Sequence, residues 1–218
     1  MPFPTLEAAA LSGATVRQLN YWRTPRRDQD PLLVPEYREG RTYLYSFRDL
    51  VALRTFVYLR GTLSLQKIRR AVHLIENLGD QEHLSGYLLY ATGDTIVWIQ
   101  PMHETGEWRY TDLVSLPGQE AIPVIMEQVL GPFKTETGKK VLALRSPLPR
   151  ISVDPEVLGG FPVVAGTRVP YDLVSGLIRD GVPPREVRTF YPSVDAAGAR
   201  AAERFASYVD RYRPSDAA

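Results

Sequence analysis

Gly13, followed by Thr15-Val16-Arg17-Gln18, constrains this chain more than any other local feature. Thr5 to Ser12 is Ala- and Leu-rich and reads as a short helix, and Gly13 supplies the positive φ that a tight turn needs after it. A Thr with Gln three residues on is a capping box, in which the hydroxyl takes one orphan N–H and the amide reaches back for another. A second helix is therefore expected over about Val16 to Arg23, with Val16 and Leu19 toward the first helix. Arg17, Gln18, Asn20, Tyr21 and Arg23 are left to point elsewhere. Arg, Gln and Asn are the side chains that pair bidentately with guanine or adenine edges. A short second helix after a Gly turn is the geometry that enters a major groove.

Charge agrees in its distribution rather than its sum. The net charge is +1, yet residues 17–70 hold twelve Lys and Arg against five Asp and Glu. Residues 81–150 hold six against eight, and residues 151–218 eight against nine. A basic block beside near-neutral blocks suits a phosphate-binding module on a neutral carrier, and equally a solvated charged surface.

Three segments follow from the pattern: residues 1–80, 81–150 and 151–218. In the first, Leu32-Leu33-Val34-Pro35 and Thr42-Tyr43-Leu44-Tyr45 flank a tip of Arg38-Glu39-Gly40-Arg41, the signature of a hairpin with a Gly turn. Such a wing would set Arg38, Arg41 and Tyr43 against phosphate. Ser46 with Asp49 caps a third helix that carries Phe47, Leu50, Val51 and Val57 on one face. Ser64 opens a fourth, apolar through Leu65, Ile68, Val72 and Ile75, with Lys67, Arg69 and Arg70 on its other face.

The middle segment is strand-rich. Two β-prone runs flank Thr92-Gly93-Asp94, a further strand holds Trp108 and Tyr110, and Val141 to Leu144 reads as another. Ala121 to Leu130 suits helix or strand. Trp98, Trp108 and Tyr110 could line a sensor pocket for a small molecule, but aromatics in a small sheet mostly fill their own core. His103 with Glu104 is too sparse for a metal site.

From Ile151, short β-branched runs alternate with Gly159-Gly160 and Gly166-Thr167, an extended arm rather than a globule. Helices are expected over Tyr171–Asp180, Pro184–Tyr191 and Ala196–Arg211. On the last, Ala202, Phe205, Ala206, Val209 and Tyr212 share a face, with Arg200, Arg204 and Arg211 roughly opposite. Arg168 could contact DNA or a partner's carboxylates, or brace the arm through a salt bridge. The Arg200 and Arg204 stripe could likewise be a plain solvated face. The fold class expected is α+β: a winged helix-turn-helix, a small β-rich middle, and a C-terminal β-arm with a three-helix, helix-turn-helix-like unit.

Two families are resembled. Residues 4–78 resemble the DNA-binding domain of MerR-type regulators, through Thr-Val-Arg-Gln-Leu-Asn-Tyr-Trp (15–22), Tyr-Ser-Phe-Arg-Asp-Leu-Val-Ala-Leu-Arg (45–54) and Leu-Ser-Leu-Gln-Lys-Ile-Arg (63–69). That resemblance implies that Arg17, Tyr21 and the wing face DNA. Asn20 stands where the family usually has Arg or Lys, and no heptads follow the fourth helix, so dimerisation through a long coiled coil is not expected. Residues 151–212 resemble domain-of-unknown-function family 433, found in VapB-like antitoxins. The matching features are Asp154-Pro155, Gly159-Gly160-Phe161-Pro162, Gly166-Thr167-Arg168-Val169-Pro170, Gly181 and Tyr191-Pro192. This resemblance implies a strand-swapped dimer arm and a PIN-type ribonuclease toxin as partner.

The expected function is thus a DNA-binding antitoxin that neutralises such a toxin and represses its own operon. The alternative is a MerR-like regulator with a small-molecule-sensing middle and no toxin. The candidate DNA-binding residues are Thr15, Arg17, Gln18, Asn20, Tyr21 and Arg23 on the helix and Arg38, Arg41 and Tyr43 on the wing. Arg168, Arg200 and Arg204 are candidate contacts to partner or DNA. The expected partners are an operator duplex, the toxin and a second copy of the chain. No enzyme motif such as a P-loop, GxSxG or HExxH occurs, so no catalytic residue and no cofactor or metal is expected. Cysteine is absent, no run approaches a membrane span, and the N-terminus shows no basic region followed by an apolar one. A cytoplasmic location is expected from these features.

Overall fold

Helix α1 (Thr5–Ser12) ends at Gly13, whose φ of 84° lies in the left-handed region and whose N–H donates to the Ala9 carbonyl at 2.9 Å. The computed structural model describes residues 1–27, 29–78, 88–92, 95–101, 108–112 and 127–214. A Cβ at position 13 would lie 2.4 Å from Cγ2 of Val141, so glycine is required both by the turn and by a close neighbour. Gly13→Ala is expected to cost about 2 kcal/mol from left-handed strain plus overpacking. Urea unfolding reads this directly, and an unchanged midpoint would show that Val141 swings clear at no cost.

Helix α2 (Val16–Arg23) starts at the capping box that the sequence implies: Gln18 N–H donates to Thr15 Oγ1 at 3.1 Å and Thr15 N–H to Gln18 Oε1 at 2.8 Å. Leu19 and Trp22 are buried beneath it. The hairpin pairs β1 (Tyr37–Glu39) with β2 (Thr42–Leu44), antiparallel, with Glu39 opposite Thr42 around Gly40 and Arg41. Its first strand is not the Leu32–Pro35 run expected from apolar content. Leu32 and Leu33 are buried in the core, and the Leu32 N–H donates to the Trp22 carbonyl at 2.7 Å. The two-residue tip sets the register, and only residues next to it can pair.

Helix α3 (Phe47–Leu59) begins at a second capping box, between Ser46 and Asp49. The buried Asp49 carboxylate also accepts the Glu36 N–H at 3.0 Å, tying the entry of the hairpin to this helix. Helix α4 (Leu65–Leu78) buries Ile68 and Val72 and exposes Arg70, as its 3.6-residue pattern requires.

In the middle, β3 (Leu88–Thr92), β4 (Thr95–Pro101) and β5 (Trp108–Asp112) form an antiparallel sheet in that order. The hairpin and the Trp108–Tyr110 strand are therefore present. The turn at Gly93-Asp94, the His103-Glu104 pair, residues 121–126 and the side chains of Trp98, Trp108 and Tyr110 lie outside the described residues. Helix α5 (Glu127–Leu130) decides the end of the ambiguous 121–130 run. Next, β6 (Phe133–Lys134) pairs with β7 (Lys140–Val141), so the strand expected over Val141–Leu144 is shorter and one residue earlier. Leu144 instead plugs the core, its N–H donating to the Leu130 carbonyl at 2.7 Å.

The C-terminal segment corrects the expected arm. Within the one chain, β8 (Ile151–Ser152) pairs with β9 (Val163–Val164), and the segment folds back on its own helices α6 (Tyr171–Arg179) and α7 (Ala196–Asp210). Ile151, Val153, Phe161, Val163 and Val164 are all buried, so these β-branched runs are core rather than a projecting arm. The helix expected over Pro184–Tyr191 is only a 3-10 turn, Val187–Thr189. Pro192 disfavours helical backbone at Tyr191, and the span left after Pro184 is too short for a stable α-helix.

The two ends of the chain share one continuous core. Phe3 lies 6.0 Å from Phe161, Phe161 stacks on Tyr171 at 5.9 Å, and Tyr171 meets Phe205 edge-on at 4.7 Å. The Tyr171 hydroxyl donates to Glu7 Oε1 at 2.9 Å, and the Tyr208 hydroxyl to the Ala10 carbonyl at 3.1 Å. Burial pushes the Glu7 carboxyl above its usual range, against the lowering effect of its hydrogen bonds. Arg54, fully buried in α3, donates to the carbonyls of Leu11, Val129 (2.7 Å) and Gly131 (2.7 Å), so one guanidinium joins α1, α3 and α5. The architecture is mixed α+β, with helices enclosing the core and small antiparallel sheets at several points. None of the described helices is long and apolar enough to cross a membrane.

Candidate nucleic-acid interface

Because Leu19 and Trp22 anchor α2 inward, the wheel at about 100° per residue puts Arg17, Asn20 and Tyr21 together on the opposite face. Arg17 and Asn20 are exposed and Tyr21 is half-buried. Thr15 and Gln18 are engaged with each other in the cap, which leaves the Gln18 amide nitrogen available for an outward contact.

Arg23 has a different place. Its guanidinium donates to the Tyr45 hydroxyl at 3.1 Å and lies 4.4 Å from the centre of the Tyr43 ring. It braces α2 against the hairpin rather than projecting from it. Burial raises the Tyr45 hydroxyl pKa, although the Arg23 bond and charge work the other way. Arg38 lies over the same Tyr43 ring at 5.2 Å, and its Nε–H donates to the Gly40 carbonyl at 2.8 Å. Tyr43 is thus a platform for two arginines, and Arg41 stands exposed at the tip.

A second such platform was not visible in the helical pattern. The Tyr21 ring lies 4.1 Å from the Arg26 guanidinium and 5.6 Å from that of Arg69. Arg69 also donates to the Asp30 carbonyl at 2.7 Å. Arg26 was missed because its pairing depends on how the loop after α2 turns back. The available signal was Arg26-Arg27, beginning two residues beyond the C-cap of α2. Cation–π contacts of this kind hold arginines in place while leaving their N–H groups free for phosphate oxygens.

Arg168, Arg200 and Arg204 sit on other elements and are exposed. The Gly166–Arg168 turn is organised by Thr167, whose hydroxyl donates to the Val164 carbonyl at 2.8 Å and accepts the Val169 N–H at 3.0 Å. Among the described residues, Arg168 makes no ion pair, and the bridge across this region is Arg150 to Asp195 at 2.9 Å. The described residues contain no cluster of three or more His, Asp or Glu that could hold a metal.

Residues 151–206 match a family described as protein of unknown function (DUF433), so a domain of that family occupies this part of the chain. No curated protein matches the chain. Among solved structures, the X-ray crystal structure of Rv2018 from Mycobacterium tuberculosis is similar at 17% identity and a TM-score of 0.47. That similarity covers 93% of this chain and 97% of that one.

Proposed function

We propose that this chain is a double-stranded-DNA-binding regulator whose α2 reads bases while the hairpin holds the backbone, in the manner of a winged helix-turn-helix. The observation that carries the reading is the outward face of α2: Arg17 and Asn20 exposed side by side, with Tyr21 holding Arg26 beside them. Arg17 would fork onto guanine and Asn20 onto adenine, the pairings their shapes favour. Arg38 and Arg41 would meet phosphate on the hairpin side, and Arg26 and Arg69 on the other. Two copies would read a pseudo-palindrome. The resemblance of the C-terminal segment to VapB-like antitoxins supports the further reading that the regulator is an antitoxin, which neutralises a PIN-type ribonuclease and represses its own operon. No catalytic role is assigned to any residue.

Selection from a random duplex pool, followed by competition with unselected DNA, tests the DNA reading. Arg17→Ala is expected to weaken the selected site by about 1–3 kcal/mol and random DNA far less. An equal loss on both would reduce Arg17 to a phosphate contact, and the absence of any enriched site would end the base-reading claim. Co-purification with a PIN-type ribonuclease encoded beside this chain tests the antitoxin reading.

A further inference from the structure

The DNA reading leaves one charged feature unused. Helix α7 and its C-cap residue Arg211 carry Arg200, Arg204, Ser207 and Arg211 along a single stripe, spanning about 17 Å at 1.5 Å per residue. Arg204, Ser207 and Arg211 of that stripe line a groove of about 640 Å³ that Lys140 lines as well. Its apolar lining is Leu142 and Leu148, both half-buried, and Tyr208. Lys140, Arg204 and Arg211 make no ion pair with any described residue, and among the described residues Glu203 is the one acidic group lining the groove. Lys139 stands next to it, its ammonium 3.3 Å from the centre of the Tyr212 ring.

We propose that this groove docks an acidic, leucine-bearing segment of a protein partner. The exposed cations Lys140, Arg204 and Arg211 and the half-buried Leu142, Leu148 and Tyr208 of its lining are complementary to such a segment, its carboxylates meeting the cations and its aliphatic side chains the apolar groups. A duplex suits the groove less well. Its phosphates lie on a convex surface, and it has nothing to place on Leu142 and Leu148. Tyr208, which lines the groove, also donates its hydroxyl to the Ala10 carbonyl of α1. The proposal deepens the antitoxin reading and rests on it only for which protein supplies the segment.

The test uses the full chain and a fluorescein-labelled peptide of about six residues, matched to the length of the stripe as an extended chain at about 3.3 Å per residue and alternating Glu or Asp with Leu. Anisotropy should show saturable binding. R204E with R211E should weaken it about tenfold or more, K140E should weaken it in the same sense, and a peptide with Ser for Leu should bind about tenfold worse. All three side chains are exposed, and circular dichroism together with an unchanged urea midpoint verifies that the variants fold. No saturable binding, equal affinity of the charge-reversed variants, or equal affinity of the Ser peptide overturns the proposal. Displacement of the peptide by an equal concentration of random duplex also overturns it, and makes the groove a nucleic-acid surface. A groove that binds the peptide in a chain that captures no ribonuclease sinks only the antitoxin reading.

Discussion

Replacing Arg54 with Met is expected to lower stability by about 3–4 kcal/mol, although Met keeps most of the side-chain volume. Three carbonyls, those of Leu11, Val129 and Gly131, lose their donor at once. Each buried acceptor left unpaired costs about 1–3 kcal/mol. The Leu11 and Val129 carbonyls lie in the last turns of α1 and α5, where a guanidinium also meets the negative end of the helix dipole. Working against the loss is the cost of burying a charge without a carboxylate. That burial depresses the guanidinium pKa to about 10, and at neutral pH it still leaves the group protonated. Removing it relieves this cost, so the net effect is smaller than three full penalties. Lys in the same place keeps the charge but lacks the fork that serves three acceptors, and should recover only part of the loss. Urea unfolding gives the magnitude, and amide exchange over residues 129–134 should speed up. A loss below about 1 kcal/mol would mean that relief of the buried charge nearly balances the bonds.

Phe205→Ala should cost about 4 kcal/mol, in the range for a fully buried aromatic. Phe205 packs edge-on against Tyr171 and stacks on Tyr208, and both tyrosines bond to α1. The cavity therefore opens at the seam between the C-terminal helices and the helix that supports α2. Trp fluorescence and the helical circular-dichroism signal should fall together in one transition, at a lower denaturant concentration than wild type. The affinity for a selected DNA site should be lost over the same range. Two separated transitions would show that the two ends fold as independent units despite their shared core.

What can be read without coordinates here is whatever local chemistry decides. The end of α1 and the starts of α2 and α3 follow from Gly13 and the Thr15 and Ser46 boxes, because caps and left-handed turns act over only a few residues. The outward set on α2 follows from periodicity once Leu19 and Trp22 are taken as the inner face. Leu32–Val34 misled because an apolar run fits a strand or a core-filling coil equally well, and only packing chooses between them. The supposed arm misled for the same reason: β-branched runs between glycines show extended backbone but not what it packs against.

Tertiary structure alone decided which arginines brace and which are free. Arg23, Arg26 and Arg54 all read as cations on or beside a helix. Each role depends on a partner brought near by the chain's return: Tyr43 and Tyr45, Tyr21, and three distant carbonyls. Gly13 carries both lessons. Its turn is local and could be read directly. Its closeness to Val141, 128 residues away, exists only because the chain returns to the end of α1.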